Sequence, residues 1–148
     1  MDLNLVGASA ANSAIAANAE AEVRALAGSR PARVLIVDDE AHVRSMVGST
    51  LERRGYDIQL AASGREALEL LAMNEYDLVL TDIVMQDLNG IALLERIHVQ
   101  HPNLPVVMVT AIHDISVAID AMRRGAFDYL LKPFEREHLM NTVERALK

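Results

Sequence analysis

The feature that most constrains this chain is a unit that repeats five times between residues 33 and 148. Each unit contains a short β-prone run, a turn and an amphipathic helix. Strands that alternate with helices of this length favour right-handed crossovers and a parallel sheet covered on both faces. The repeat therefore predicts an α/β fold with a doubly wound, five-stranded parallel sheet. The predicted strands are 33–37, 57–61, 77–81, 105–110 and 127–131, and the predicted helices lie near 41–54, 64–73, 90–100, 114–124 and 135–147.

Local signals support these boundaries. Ser63 and Glu66 have the spacing of a capping box at the start of the second helix. Gly55 and Gly125 follow the first and fourth helices, where a left-handed residue commonly ends a helix. Pro105 stands after the third helix at the start of the fourth strand, and because proline cannot continue a helix it separates the two elements.

The composition changes near residues 28–31, which predicts an N-terminal extension, 1–32, separate from a domain at 33–148. The extension is rich in alanine and carries a narrow apolar stripe at helical spacing. Two interpretations stay open. The extension is either a frayed, partly helical arm or a helix that docks on a partner or on a second copy. The stripe consists of Ile15, Ala19, Val23 and Leu26.

Charge and composition exclude several classes of function. The chain has 21 acidic and 14 basic residues and a net charge of −7, which disfavours direct binding to nucleic acid. It contains no cysteine, so disulfides and thiolate chemistry are excluded and a reducing cytoplasm is favoured. No apolar run approaches the roughly 18 residues of a membrane span. His98 and His101 lack an acidic or thiol companion, and we assign them no metal role.

Ionic and hydroxyl side chains follow four of the five predicted strands. Asp38 and Asp39 follow the first strand, Asp82 the third and Lys132 the fifth, and Thr110 closes the fourth. In open parallel sheets the functional crevice lies beyond the carboxyl ends of the strands. The sequence therefore predicts a site at this edge of the sheet.

The run Asp38, Asp39, Glu40 has two possible explanations. Acidic residues suit the N-terminus of a helix, so the run can cap the helix that follows. Alternatively, Asp38 and Asp39 gather with Asp82, and carboxylates gathered at one site repel one another unless a cation relieves them. A hard divalent cation with oxygen ligands, Mg²⁺ by preference, meets that need.

Such a group could carry out phosphoryl transfer. A carboxylate can attack as the nucleophile and form an aspartyl phosphate. Lys132 would supply a second positive charge opposite the metal, which neutralises the oxygens of a phosphoryl group in transfer. Thr110 could donate its hydroxyl to one of those oxygens.

Several segments resemble the signature blocks of the response-regulator receiver domain of two-component signal transduction. The resemblance covers residues 33–148 and implies a flavodoxin-like fold like that of the chemotaxis receivers, with strand order 2-1-3-4-5. That order makes strands one and three neighbours, so that their aspartates converge. The segments that carry the resemblance are LIVDDE, LVLTDIVMQDLNG, VVMVTA and FDYLLKPF.

The resemblance implies the phosphorylation and metal residues. Asp82 matches the phospho-acceptor of the family. Asp38 and Asp39 match the acidic pair that binds Mg²⁺, and the backbone carbonyl of Val84 completes the protein ligands.

The resemblance also implies the residues that respond to phosphorylation. Lys132 matches the lysine that contacts the phosphoryl group, commonly across a cis bond to the next residue, here Pro133. Thr110 matches the hydroxyl switch residue, and Ala111 has the small side chain that the family prefers there. Tyr129 matches the aromatic switch on strand five.

Two positions depart from the family pattern. Gln86 stands where the family usually has proline, and Asn89 stands where aspartate often precedes Gly90. Both lie in the loop after the acceptor, so they concern loop rigidity and reaction rates. They leave the acceptor and the metal residues unchanged.

These residues predict a phosphorylatable receiver, with no enzymatic activity beyond its own phosphorylation and dephosphorylation. A histidine kinase or a histidine phosphotransfer protein would supply the phosphoryl group. The new charge would bias the surface of helix four, strand five and helix five. A homodimer through that surface or through the N-terminal extension is a further expectation.

Two alternatives come from other classes. A phosphatase of the haloacid-dehalogenase type also uses an aspartyl phosphate, Mg²⁺ and lysine, but its paired acids after strand one follow a DxD pattern. Asp38 and Glu40 occupy the corresponding positions and break that pattern. A flavin-binding module of the same topology would need a phosphate-cradling loop after strand one, which this sequence lacks.

Overall fold

The computed structural model describes residues 30–111 and 115–148. The chain divides into two units, Met1–Pro31 and Ala32–Lys148, and the second unit is compact. The predictions for the N-terminal extension lie outside the described residues. In the described part of the chain, none of the helices combines the length and apolar character that a membrane crossing requires.

Within Ala32–Lys148, strands alternate with helices as the repeat predicts. The third, fourth and fifth strands each begin one residue later than predicted. For the fourth strand the reason is Pro105, which has no N–H to donate to the sheet. The described strands are β1 Arg33–Val37, β2 Asp57–Ala61, β3 Leu78–Thr81, β4 Val106–Thr110 and β5 Asp128–Leu131. The helices are α1 Ala41–Glu52, α2 Gly64–Met73, α3 Gly90–Gln100, α4 Ile115–Arg123 and α5 Arg136–Ala146.

The sheet is parallel, with strand order β2-β1-β3-β4-β5. Val37, the last residue of β1, is paired with Ala61 of β2 and Thr81 of β3. The carboxyl ends of these three strands are therefore level. The observed order confirms the one that the resemblance implies and makes β1 and β3 neighbours.

Alternate residues of the central strands enter two cores on opposite faces of the sheet, because successive side chains of a strand point to opposite sides. In β1, Leu35 and Val37 pack with α2, α3 and α4, whereas Val34 and Ile36 pack with α1 and α5. All four of these side chains are buried. Burial on both faces explains why residues 34–37 of this strand form an unbroken apolar run.

The predicted helix signals are present, with one difference in detail. Ser63 Oγ accepts a hydrogen bond from the Glu66 amide at 3.1 Å. Glu66 Oε1 accepts from the Ala62 amide at 2.6 Å, one residue before the cap rather than at the cap itself. Gly55 and Gly125 have φ values of 91° and 104°, the left-handed region that favours glycine.

Candidate functional site

Backbone hydrogen bonds continue past the ends of β1 and β3 and place the residues that follow. The Asp38 amide donates to the Ala61 carbonyl at 3.1 Å, and the Asp82 amide donates to the Val37 carbonyl at 2.9 Å. Each aspartate is thus held by its neighbouring strand. Both side chains lie at the carboxyl edge of the sheet, as predicted.

Three further hydrogen bonds hold Asp38. Its Oδ1 accepts from the Glu40 amide at 2.9 Å, and its Oδ2 accepts from Lys132 Nζ at 2.7 Å. Its backbone carbonyl accepts from Arg44 Nη1 at 2.6 Å. Because only 2% of Asp38 is exposed, the two contacts of its carboxylate oxygens compensate for the loss of water around the charge.

Asp82 lies beside Asp38 and is 6% exposed. Its two oxygens have different partners: Oδ1 accepts from the Val84 amide at 3.3 Å, and Oδ2 lies 3.4 Å from Lys132 Nζ. Burial raises the pKa of the Asp82 carboxyl, Lys132 opposes that shift, and the neighbouring Asp38 carboxylate adds to it. Asp82 is therefore a buried carboxylate with incomplete charge compensation.

Lys132 enters the site from the end of β5. Its amide donates to the Thr110 carbonyl at 2.8 Å, which fixes the start of the side chain. Burial alone would lower the pKa of Lys132, but the hydrogen bond and charge of Asp38 and the charge of Asp82 outweigh it and raise the pKa. The ammonium group therefore stays charged. The peptide bond between Lys132 and Pro133 is cis.

A group of carboxylates suited to a cation is present, but its membership differs from the sequence-based expectation. Ligand oxygens of Asp38, Glu40 and Asp82 all lie within 4.8 Å of one another. Asp39 is exposed and is not in this group. Three oxygen donors at such distances fit a hard cation such as Mg²⁺. Glu40 Oε1 also lies 3.6 Å from Lys132 Nζ.

The helix-capping explanation of the acidic run is not supported. Glu40 is the N-cap residue of α1, yet its side chain makes no capping hydrogen bond. The Asp38 side chain instead accepts from the Glu40 amide. The sequence-based predictions assign Glu40 no place beside Lys132, although its position in the acidic run is a visible signal.

The remaining predicted residues line the same edge of the sheet or the face next to it. Thr110 is 3% exposed at the end of β4, and Ala111 after it is exposed. Val84 is 58% exposed in the loop after Asp82. Tyr129 is half-buried on β5 and packs against the core formed with α2, α3 and α4.

Gly90 allows the loop after Asp82 to close tightly. A Cβ at this position would collide with the Asp82 carbonyl oxygen and would lie 2.9 Å from Ile83 Cα. The Gly90 amide donates to the Ile83 carbonyl at 2.7 Å. Asn89, one of the two departures from the family pattern, caps α3 by accepting from the Ala92 amide at 2.8 Å. Asparagine therefore does here what an N-cap aspartate does.

Comparison with known proteins identifies the family. A sequence model of the response regulator receiver domain matches residues 34–144. This chain belongs to the response regulator receiver family. It is a receiver domain of a two-component response regulator, and the phosphatase alternative gains no support.

Relatives of this receiver include two regulators of transcription. The transcriptional regulatory protein ZraR of Escherichia coli K12 is 40% identical over 114 residues, which cover 77% of this chain and 26% of ZraR. The DNA-binding transcriptional regulator NtrC of Rhizobium meliloti is 39% identical over 116 residues, which cover 78% of this chain and 24% of NtrC. The chain thus spans about a quarter of the length of these relatives.

Solved receiver structures have the same fold. The receiver domain of NtrX from Brucella abortus is 40% identical, with a TM-score of 0.74, and the match covers 77% of this chain and 97% of that one. A CheY-like receiver from Methanospirillum hungatei is 30% identical, with a TM-score of 0.76, and the match covers 79% of this chain and 94% of that one.

Proposed function

We propose that this receiver accepts a phosphoryl group on Asp82 from a histidine kinase or a histidine phosphotransfer protein. One observation carries the proposal. Lys132 Nζ lies 2.7 Å from Asp38 Oδ2 and 3.4 Å from Asp82 Oδ2 at the carboxyl edge of the sheet. A buried carboxylate beside a fixed cation and further oxygen ligands is the arrangement that phosphoryl transfer to aspartate needs.

We infer that Mg²⁺ binds at the same place. Asp38, Asp82 and the Val84 carbonyl would hold it, with Asp39 as the family pattern implies and Glu40 nearby. When bound, Mg²⁺ supplies positive charge that offsets the negative charge of the phosphoryl oxygens. The closeness of the Asp38, Glu40 and Asp82 oxygens supports this assignment.

In the proposed reaction, an Asp82 oxygen attacks the phosphorus of a phosphohistidine. A P–O bond forms, the P–N bond breaks, and its electron pair returns to the imidazole nitrogen of the donor. Lys132 is already within 3.4 Å of Asp82, so its charge can follow the phosphoryl oxygens with little movement. The preformed position reduces the cost of reorganisation during transfer.

The phosphorylated state would then change a surface. The Lys132 amide donates a hydrogen bond to the Thr110 carbonyl. Movement of either side chain can therefore shift the backbone at the ends of β4 and β5. Tyr129 lines a cavity of about 300 Å³ next to α4, and Ala118, Ile119 and Met122 of that helix also line it. We infer that movement of Thr110 and Tyr129 alters the face formed by α4, β5 and α5 and thereby selects partners, with a second copy as one candidate.

The whole protein's activity is also a proposal. ZraR and NtrC are regulators of transcription that are about four times as long as the matched region. By analogy with them, we infer that this receiver controls an output domain of a response regulator in the cytoplasm. The receiver itself would act as a signalling domain.

Phosphorylation with acetyl phosphate and Mg²⁺ tests the proposed function. We expect one acid-stable, base-labile phosphoryl group per chain, because an acyl phosphate has this stability. The Asp82→Asn variant should take up none, since an amide oxygen is a far weaker nucleophile than a carboxylate oxygen.

Asp57→Asn is the matched control. Asp57 is exposed and lies 3.2 Å from Arg33 at the amino end of β2, away from the site. This control should be labelled like the wild type. Labelling that survives in Asp82→Asn would refute the acceptor assignment.

A further inference from the structure

The loop between Asp82 and α3 must hold its shape without the proline that the family usually has there. This loop contains Val84, whose carbonyl is a proposed metal ligand and whose amide donates to Asp82 Oδ1 at 3.3 Å. Gln86 at the family's proline position leaves the backbone more freedom than proline would. Some other contact must restrict the loop if the site is to be preformed.

Asp87 makes such a contact. Its Oδ1 accepts from the Gly64 amide at 3.2 Å, and its Oδ2 accepts from the Arg65 amide at 2.9 Å. These two amides open α2, where the first N–H groups have no partner within the helix. The hydrogen bond from the Arg65 amide, with further backbone amides, lowers the pKa of the Asp87 carboxyl. Asp87 therefore stays ionised and binds the positive end of the helix dipole.

Packing brings the same two segments together. A Cβ at Gly64 would lie 2.9 Å from Leu88 Cβ, so Leu88 packs directly on the glycine that starts α2. The contact joins residues that are more than 20 positions apart in the sequence. The Gly90 amide, bonded to the Ile83 carbonyl, joins the two ends of the loop, and Asp87 and Leu88 fasten the half that follows Gln86 to α2.

We propose that Asp87 is a positioning residue for the phosphorylation site, which fastens the loop after the acceptor to the N-terminus of α2. This inference rests on the proposed function of Asp82 and Val84. Asp87 lies three residues after Val84 and does not touch the carboxylate group of Asp38, Glu40 and Asp82 in the described structure. It acts by restricting where the Val84 backbone can lie, and it substitutes for the missing proline.

The two amides bond to different oxygens of Asp87, which favours a carboxylate at this position. A carboxylate offers an oxygen to each amide, whereas asparagine offers one oxygen and turns an N–H₂ donor toward the second amide. Alanine offers none. Mg²⁺ affinity should therefore fall in the order wild type, Asp87→Asn, Asp87→Ala.

Calorimetric titration with Mg²⁺ and amide hydrogen exchange test this inference. We expect Asp87→Ala to weaken Mg²⁺ binding about 3- to 10-fold, with Asp87→Asn between it and the wild type. Exchange at the Gly64 and Arg65 amides should become faster in both variants. The rate of labelling by acetyl phosphate at subsaturating Mg²⁺ should fall in parallel and recover when Mg²⁺ is raised.

Asp77→Ala is the matched control. Asp77 Oδ2 accepts from the Arg33 amide at 2.8 Å, so the substitution also removes an aspartate that binds a backbone amide, but at the amino end of the strands. It should leave the Mg²⁺ dissociation constant unchanged.

Equal Mg²⁺ affinity in the wild type and in Asp87→Ala would overturn the inference, as would an equal loss in Asp77→Ala. Should Asp87→Ala fail to fold, the Asp87→Asn variant gives the same comparison. The titration also separates the two proposals. A wild type that binds Mg²⁺ but takes up no phosphoryl group refutes the proposed function, while the order of Mg²⁺ affinities still tests Asp87.

Discussion

At the scale of single residues, one ammonium group is shared unequally by two buried carboxylates. Lys132 Nζ is 2.7 Å from Asp38 but 3.4 Å from Asp82, and both aspartates are almost fully covered. Burial raises the pKa of the Asp82 carboxyl, the Lys132 charge opposes that shift, and the like charge of Asp38 adds to it. Without metal, the Asp82 charge therefore costs stability, while the Asp38–Lys132 pair is satisfied.

We expect Asp82→Asn to melt at a higher temperature than the wild type in the presence of a chelator. The substitution removes the less compensated charge, which we estimate costs on the order of 1 kcal/mol. Millimolar Mg²⁺ should stabilise the wild type by about 1–3 kcal/mol through binding to the folded state. The variant should gain less from Mg²⁺, because it has lost one carboxylate ligand. Four thermal melts, two proteins each in chelator and in Mg²⁺, measure these differences.

Asp57→Asn makes the same chemical change at an exposed position, where loss of the pair with Arg33 should alter stability by at most about 1 kcal/mol. Mg²⁺ should stabilise this variant as much as it stabilises the wild type. A chelated Asp82→Asn protein that melts no higher than the chelated wild type, or an equal gain from Mg²⁺ in both, would mean that these carboxylates do not share one site.

At the scale of elements, α3 begins where the loop after Asp82 has just enough room for glycine. A methyl group at Gly90 would meet the backbone of Asp82 and Ile83, and backbone cannot move aside as a flexible side chain can. Gly48 in the middle of α1 is different. A Cβ there would meet Leu60 Cδ2 at 3.3 Å, and Leu60 is 41% exposed and free to adjust.

The two glycines should therefore respond differently to substitution by alanine. Gly90→Ala should lower the free energy of unfolding by about 1–3 kcal/mol, because the backbone has to shift. Gly48→Ala should leave it unchanged or raise it by up to about 1 kcal/mol, since alanine is the better residue in a helix interior. Urea denaturation of both variants measures the difference. Equal stability of the two variants would show that the loop relaxes around Gly90 without cost.

At the scale of the whole molecule, the unit Ala32–Lys148 carries both cores and the candidate site. Its surface still presents apolar side chains next to Tyr129, with Ile119 46% and Met122 42% exposed. The N-terminal extension adds the apolar stripe seen in the sequence. Too narrow to form a core of its own, this stripe would need a partner to stabilise a helix.

Removal of residues 1–30 should leave the rate of labelling by acetyl phosphate unchanged and should reduce self-association. The first expectation follows because the strands, the acidic group and Lys132 all belong to the second unit. Light scattering across a range of concentrations measures the molar mass, and circular dichroism checks that the shortened chain is folded. An unchanged molar mass at every concentration would favour the frayed arm over a docking helix.

The alternation of apolar runs and amphipathic helices by itself determined the α/β class, the order of elements along the chain and, to within a residue, the start of each described strand. These features depend on local rules: the two-residue period of strands, the helical period and the helix-ending signals. The polar residues at strand ends were predictable for the same reason. Their convergence also needed the strand order, which the family resemblance implied.

Only the tertiary structure decided which of these residues touch. Lys132 meets Asp38 across 94 positions of the sequence, and Asp87 meets Gly64 across 23. No local period encodes contacts at that distance, because they depend on how neighbouring strands align and how tightly the loops close. The same holds within the acidic run. Glu40 rather than Asp39 joins the group around Lys132, since the turn after β1 sets the direction of each side chain.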